Sequence, residues 1–111
     1  MNTQTLDNAI LVTLIERVDS VTSPEVLKAL QGFIAAGTKH LICDCHATKY
    51  ISSNGLRVLL IAAKEIKRAG GRLSLVCPTK SYAHEILQTA GFTNIIPVFE
   101  TSEAAVAGRK V

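Results

Sequence analysis

Residues 40–45, His-Leu-Ile-Cys-Asp-Cys, are apolar at nearly every position. A strand with one wet face alternates apolar and polar residues, so an unbroken apolar run belongs to a sheet covered on both faces. Such a strand needs helices on either side, and this run therefore points to an α/β domain. Its one acid, Asp44, is costly inside an apolar strand unless it lies near solvent or donors, which predicts a position at the strand's carboxyl end.

The segments around this strand supply the helices. Residues 9–15 are rich in β-branched side chains and read as a strand, preceded by a weak edge segment over residues 2–6 and closed by Glu16, Arg17 and Asp19. Ser23, Pro24 and Glu25 read as an N-cap, a proline at the first helical position and a first-turn acid. Val26, Leu27, Leu30, Phe33 and Ile34 share one helical face, and Gly37 ends the helix. Residues 47–51 read as a short connection to a second helix with Leu56, Leu59, Leu60, Ala63 and Ile66 inward, closed by Gly70 and Gly71. A strand over residues 72–77, a helix over 81–90 closed by Gly91, and a strand over 94–99 follow. Pro97 makes that last strand an edge, because proline cannot donate to a ladder. A capped helix begins at Thr101.

With 111 residues, the chain is expected to form one domain over residues 1–111. Twelve basic residues against nine acidic give a formal charge of +3, but they are scattered through the helical segments and at Arg109 and Lys110. No basic stripe with interleaved aromatics is present, so nucleic acid is not an expected partner. No apolar run approaches the roughly 18 to 20 residues of a membrane span, and the N-terminus lacks the pattern of a signal peptide. A soluble cytoplasmic protein without membrane insertion is the expectation. The odd count of three cysteines, Cys43, Cys45 and Cys77, in apolar runs suits reduced core thiols.

Residues 50–60, Tyr-Ile-Ser-Ser-Asn-Gly-Leu-Arg-Val-Leu-Leu, mark the switch from strand to helix pattern. Ser52, Ser53 and Asn54 can each accept a hydrogen bond from the unpaired N–H groups of a helix N-terminus. A cap needs one of them. The second serine, and Gly55 in a helix where glycine is a poor former, are left over and hint at function. Val58 and Ile61 fall outside the inward stripe and form an apolar patch beside the serines.

Other chemistries find little support. The glycine signatures of dinucleotide and P-loop sites are absent, and Asp44 lacks the companion acids of a magnesium-dependent phosphoacceptor. Cys43, Cys45 and His46 are metal-ligating types, but the Cys-x-Cys pair has no matching second pair. His40 and His84 have no partner pattern and read as surface residues. Ser53 lacks the Gly-x-Ser-x-Gly elbow of a hydrolase nucleophile, so neither an enzyme nor a cofactor is expected.

The segments Arg17-Val-Asp-Ser, Leu41-Ile-Cys-Asp and residues 50–60, at these separations, resemble the STAS domain of anti-sigma factor antagonists. The most specific part is Ser53-Asn54-Gly55-Leu56. The resemblance implies a β-α superhelix around a mixed sheet of about four or five strands with about four helices. It implies a serine-kinase anti-sigma factor as partner, phosphorylation of Ser53 two residues before the glycine, and a PP2C-type phosphatase. Ser52, Asn54, Gly55, Leu56, Val58, Ile61, Asp44 and Asp19 are the residues expected to meet the partner. Two positions depart from the family pattern: Ser52 stands where many members have Asp, and Glu16 where glycine is often found.

The expected function is thus partner switching. The unmodified protein binds the anti-sigma factor and releases the sigma factor, and a phosphate on Ser53, favoured by the N–H groups of Gly55 and Leu56, ends that binding. The alternative on the same fold is an unphosphorylated STAS module of a lipid-transport ATPase complex or a signalling scaffold.

Overall fold

A computed structural model describes residues 1–108; Arg109, Lys110 and Val111 lie outside the described residues. The strands are β1 (Asn2–Leu6), β2 (Ala9–Thr13), β3 (Arg17–Val18), β4 (His40–Asp44), β5 (Tyr50–Ile51), β6 (Arg72–Val76) and β7 (Val98–Phe99). The helices are α1 (Ser23–Ala35), α2 (Ser53–Arg68), α3 (Tyr82–Thr89) and α4 (Ser102–Ala107). The main sheet has the order β1-β2-β4-β6-β7. β1 is antiparallel to β2, and the other neighbours are parallel, so the sheet is mixed.

β4, fully buried, runs through the middle of this sheet. Alternate residues serve two cores: Leu41 and Cys43 join the large cluster with residues of α1, α2 and α3, while Ile42 joins a smaller one with Leu11, Val76 and Ala105 of α4. Helices therefore cover both faces, as the unbroken apolarity of residues 40–45 requires.

Several local expectations are corrected. Residues 16–19 and 47–51 do more than end a strand and connect. β3 and β5 pair in parallel as a second, two-stranded sheet, Arg17 beside Tyr50 and Val18 beside Ile51. The cap of α1 is Thr22, and Ser23 is its first residue and buried. The expected strand over residues 94–99 begins as a 3-10 turn, Phe92–Asn94, and only Val98–Phe99 pairs, at the sheet edge where Pro97 costs no ladder bond. His40 is buried rather than on the surface, its Nε2 3.1 Å from the Ser74 hydroxyl. His84 is half-buried.

The inward face of α2 is also rotated from the expected stripe. Gly55, Val58, Leu59, Ala62 and Ile66 are buried, and Leu56, Leu60 and Ala63 flank them half-buried. The cause is Gly55. A Cβ there would lie 2.6 Å from the Val18 carbonyl oxygen and 2.9 Å from the Ile51 side chain, so only glycine lets α2 seat this closely on β3 and β5. Val58 follows it inward at 5% exposure and is a core residue, not part of a surface patch.

Candidate functional site

The loops after β3, β4, β5 and β6 gather at one edge, the carboxyl end of the parallel strands, where α/β sheets place their sites. The β3–β5 pairing sets the geometry there. The Ser52 N–H donates to the Val18 carbonyl at 2.8 Å, which brings the turn after β3 alongside the start of α2.

Ser52 is the cap of α2, in extended conformation, and its hydroxyl accepts from the Gly55 N–H at 3.2 Å. The Leu56 N–H donates to the Ser52 carbonyl at 2.9 Å. Both N–H groups expected to receive a phosphate are therefore already engaged. Those left open among the described residues are the Ser53 and Asn54 N–H groups. Ser53, the first helical residue, is exposed, and its hydroxyl makes no hydrogen bond among the described residues. Of the two adjacent serines, one is consumed by structure and the other is available. Asn54 is exposed as well, and Leu56 and Ile61 are half-buried.

Asp19 organises the neighbouring turn. Its carboxylate accepts from the N–H groups of Val21 at 3.0 Å and Thr22 at 3.1 Å, while the Thr22 hydroxyl donates to the Arg17 carbonyl at 2.8 Å. The Thr22 N–H, foremost among these contacts, holds the Asp19 carboxyl below its usual pKa. The rigid turn presents Val21 at 83% exposure. Beside it, the Arg17 guanidinium lies 4.6 Å from the centroid of the partly exposed Tyr50 ring, a cation–π contact. α3 packs beside β5 and begins with Tyr82, 74% exposed. Val21, Tyr50 and Tyr82 are three exposed apolar residues that sequence reasoning missed. Tyr82 was legible, since Ala83 and Leu87 mark the inward face of α3 and leave residue 82 outside.

Asp44 stands at the end of β4 as expected, but both oxygens are engaged by His46, one by its N–H and one by its Nδ1, each at 2.9 Å. No hydrogen bond among the described residues ties Asp44 to the Ser53 loop, and strand alternation puts its side chain on the same sheet face as Ile42, away from the core face of α2. The three cysteines are free and buried. Burial pushes the Cys43 thiol up to about 12. The Cys45 thiol donates to the Cys43 carbonyl at 3.9 Å, and the Cys77 sulfur lies 3.4 Å from the Ser81 hydroxyl. The neighbouring Cys77 thiol and burial push Cys45 up, while the neighbouring Cys45 thiol, helped by Ser81, lowers Cys77 to about 7. Among the described residues no three His, Cys, Asp or Glu side chains converge to hold a metal ion, and no helix is long and apolar enough to cross a membrane.

A mixed five-stranded sheet, four helices and a capped serine pair at the carboxyl edge define a class. The family model described as the STAS domain matches residues 1–105, and the chain belongs to the STAS-domain family of anti-sigma factor antagonists. It is 32% identical over 105 residues to BtrV of Bordetella bronchiseptica, assigned as an anti-sigma factor antagonist, covering 95% of this chain and 90% of that one. The fold is similar to that of an anti-sigma factor antagonist from Mycobacterium paratuberculosis, with TM-score 0.85, 20% identity, and coverage of 96% and 90% of the two chains. It is also similar to the Bacillus cell fate determinant SpoIIAA in its phosphorylated form, with TM-score 0.71, 16% identity, and coverage of 97% and 98%.

Proposed function

We propose that this protein is a cytoplasmic partner-switching regulator with no reaction of its own. Unmodified, it binds a serine-kinase anti-sigma factor through the carboxyl edge and frees the sigma factor; phosphorylated on Ser53, it lets go, and a PP2C-type phosphatase resets it. The observation that carries this reading is the division of labour between the serines: Ser52 holds the cap, and Ser53 offers an exposed hydroxyl beside two open N–H groups.

The physics of the switch follows from that placement. A phosphate on Ser53 adds about −1.5 to −2 charges at the positive end of the α2 dipole, where an anion is favoured, so the fold can keep it. A partner surface shaped for a neutral hydroxyl would instead desolvate a dianion. A loss of about 3 kcal/mol weakens affinity by roughly two powers of ten. Val21, Tyr50 and Tyr82 supply the exposed apolar anchors that Val58 cannot, and Asn54 and Ile61 complete the surface.

The test is incubation with the kinase-type anti-sigma factor and ATP, followed by fragmentation mass spectrometry of the tryptic peptide spanning residues 50–57. Phosphate on Ser53 with concurrent loss of binding is expected. Phosphate only on Ser52, or no phosphate with an active kinase that binds the protein, would overturn the assignment.

A further inference from the structure

The opposite edge of the sheet holds a cavity that the switch does not use. Its volume is about 800 Å³, and its lining includes Asp7, Lys39, His40, Gly70, Arg72 and Ala107. On the sheet face covered by α4, the carboxyl half is apolar, with Leu11, Ile42, Val76 and Phe99 packed on Ala105. The amino half of the same face is polar. His40 and Arg72 stand side by side as the first residues of β4 and β6, with the buried Ser74 two residues beyond Arg72.

These three side chains form a chain of hydrogen bonds. An Arg72 Nη2–H donates to His40 Nδ1 at 3.3 Å, which fixes His40 as the neutral tautomer with its proton on Nε2. That Nε2–H donates to the Ser74 hydroxyl at 3.1 Å. Burial first, and the Arg72 charge second, hold the imidazole below its usual pKa, so it stays an acceptor for the guanidinium. Arg72 uses one of its five side-chain N–H groups this way, and among the described residues the others make no hydrogen bond.

The Lys39 backbone runs alongside that of Arg72. The Arg72 N–H donates to the Lys39 carbonyl at 2.7 Å, and a Cβ on Gly71 would lie 2.4 Å from that same oxygen, so glycine permits the close contact. The Lys39 ammonium gives one hydrogen to the Ala69 carbonyl, at the C-terminal end of α2. Neither Lys39 nor Arg72 pairs with a carboxylate among the described residues. Among the described residues, Asp7 is the one acid in the lining, against these two cations.

A buried serine and histidine hold one guanidinium in the lining of an open cavity, and a second anchored cation, Lys39, lines the same cavity from the α2 side. We propose that this cavity binds a small organic anion, its carboxylate or phosphate group seated on the Arg72 fork, with the Lys39 ammonium adding positive charge to the lining. Guanidinium suits both groups, since each offers two acceptor oxygens at matching spacing. The cavity volume lies in the range of small-molecule sites, about 300–1,000 Å³.

The test is an NMR titration of the full ¹⁵N-labelled chain with inorganic phosphate and, separately, with succinate. Saturable shifts at His40, Gly70, Gly71 and the Arg72 side chain, with at least about tenfold weaker binding in Arg72→Gln and a smaller loss in Lys39→Met, are expected. The spectrum of each free variant, with signals elsewhere unmoved, establishes that it is folded. Saturation by one probe alone assigns the ligand's anionic group. Absence of saturable shifts with either probe up to about 10 mM, or equal binding by the folded variants, would overturn the site.

Discussion

Ser52 and Ser53 are chemically identical neighbours, one engaged as the cap and the other the proposed switch, and mutation should separate them. Ser52→Ala removes the acceptor of the Gly55 N–H and should lower stability by about 1 kcal/mol, the usual cost of losing an N-cap. Ser53→Ala touches an exposed hydroxyl and should leave stability within about 0.5 kcal/mol of the parent. Urea unfolding of the two variants measures the difference, and equal losses would show that the hydroxyls share the cap. Binding should divide the other way. Ser53→Ala should keep the anti-sigma factor, whereas Ser53→Asp, carrying part of the phosphate's charge, should bind at least tenfold more weakly by calorimetry. The sequence brings three acceptors to this point, and only the backbone shows which of them turns toward Gly55. Residue type names who can cap; φ and ψ decide who does.

Between elements, the decisive contact is α2 on β3 and β5. Gly55→Ala places a methyl 2.6 Å from the Val18 carbonyl and should cost about 1–3 kcal/mol while lifting the N-terminus of α2, visible as shifted amide signals over β3 and β5. Unchanged stability would mean that the helix can slide. The same seating rotates the helix, so Val58→Lys should unfold or severely destabilise the protein, while Ile61→Lys and Tyr50→Ala should cost partner binding with little change in melting temperature. A folded, stable Val58→Lys would contradict its place in the core. This also explains what was legible. The five-residue strands β2, β4 and β6, and the edge strand β1, could be read because apolar or β-branched runs of that length carry their own signal. β3 and β5 have two residues each, too short for any periodicity, and their pairing joins Arg17 to Tyr50 across the whole of α1 and β4. The face of α2 depended on that unseen pair. Leu56 and Leu60 are the more apolar-looking choice until a close approach at Gly55 turns Val58 and Ala62 inward beside Leu59. Asp44 was legible as a strand end, but its engagement by His46 was not, because it depends on the turn at residues 45–46.

At the scale of the whole molecule the question is whether phosphorylation reshapes the domain or only its surface. The described hydrogen bonds around Ser53 are made by its neighbours, so modification breaks none of them: Ser52 keeps Gly55, the Ser52 carbonyl keeps Leu56, and Asp19 keeps its turn. The added charge lies at the favourable end of a sixteen-residue helix, where an anion contributes about 0.3–1 kcal/mol. For a domain of this size that corresponds to a melting temperature raised by a few degrees. The phosphorylated protein is therefore expected to melt at or slightly above the parent, with amide shifts confined to residues near 50–57 and to the turn after β3. Affinity for the anti-sigma factor should fall by about a hundredfold in the same sample. Scanning calorimetry, amide spectra and binding on one preparation separate the two models. A substantial drop in melting temperature, or shifts spread through α1 and β6, would mean that the switch works by loosening the fold and that the surface-charge mechanism is wrong.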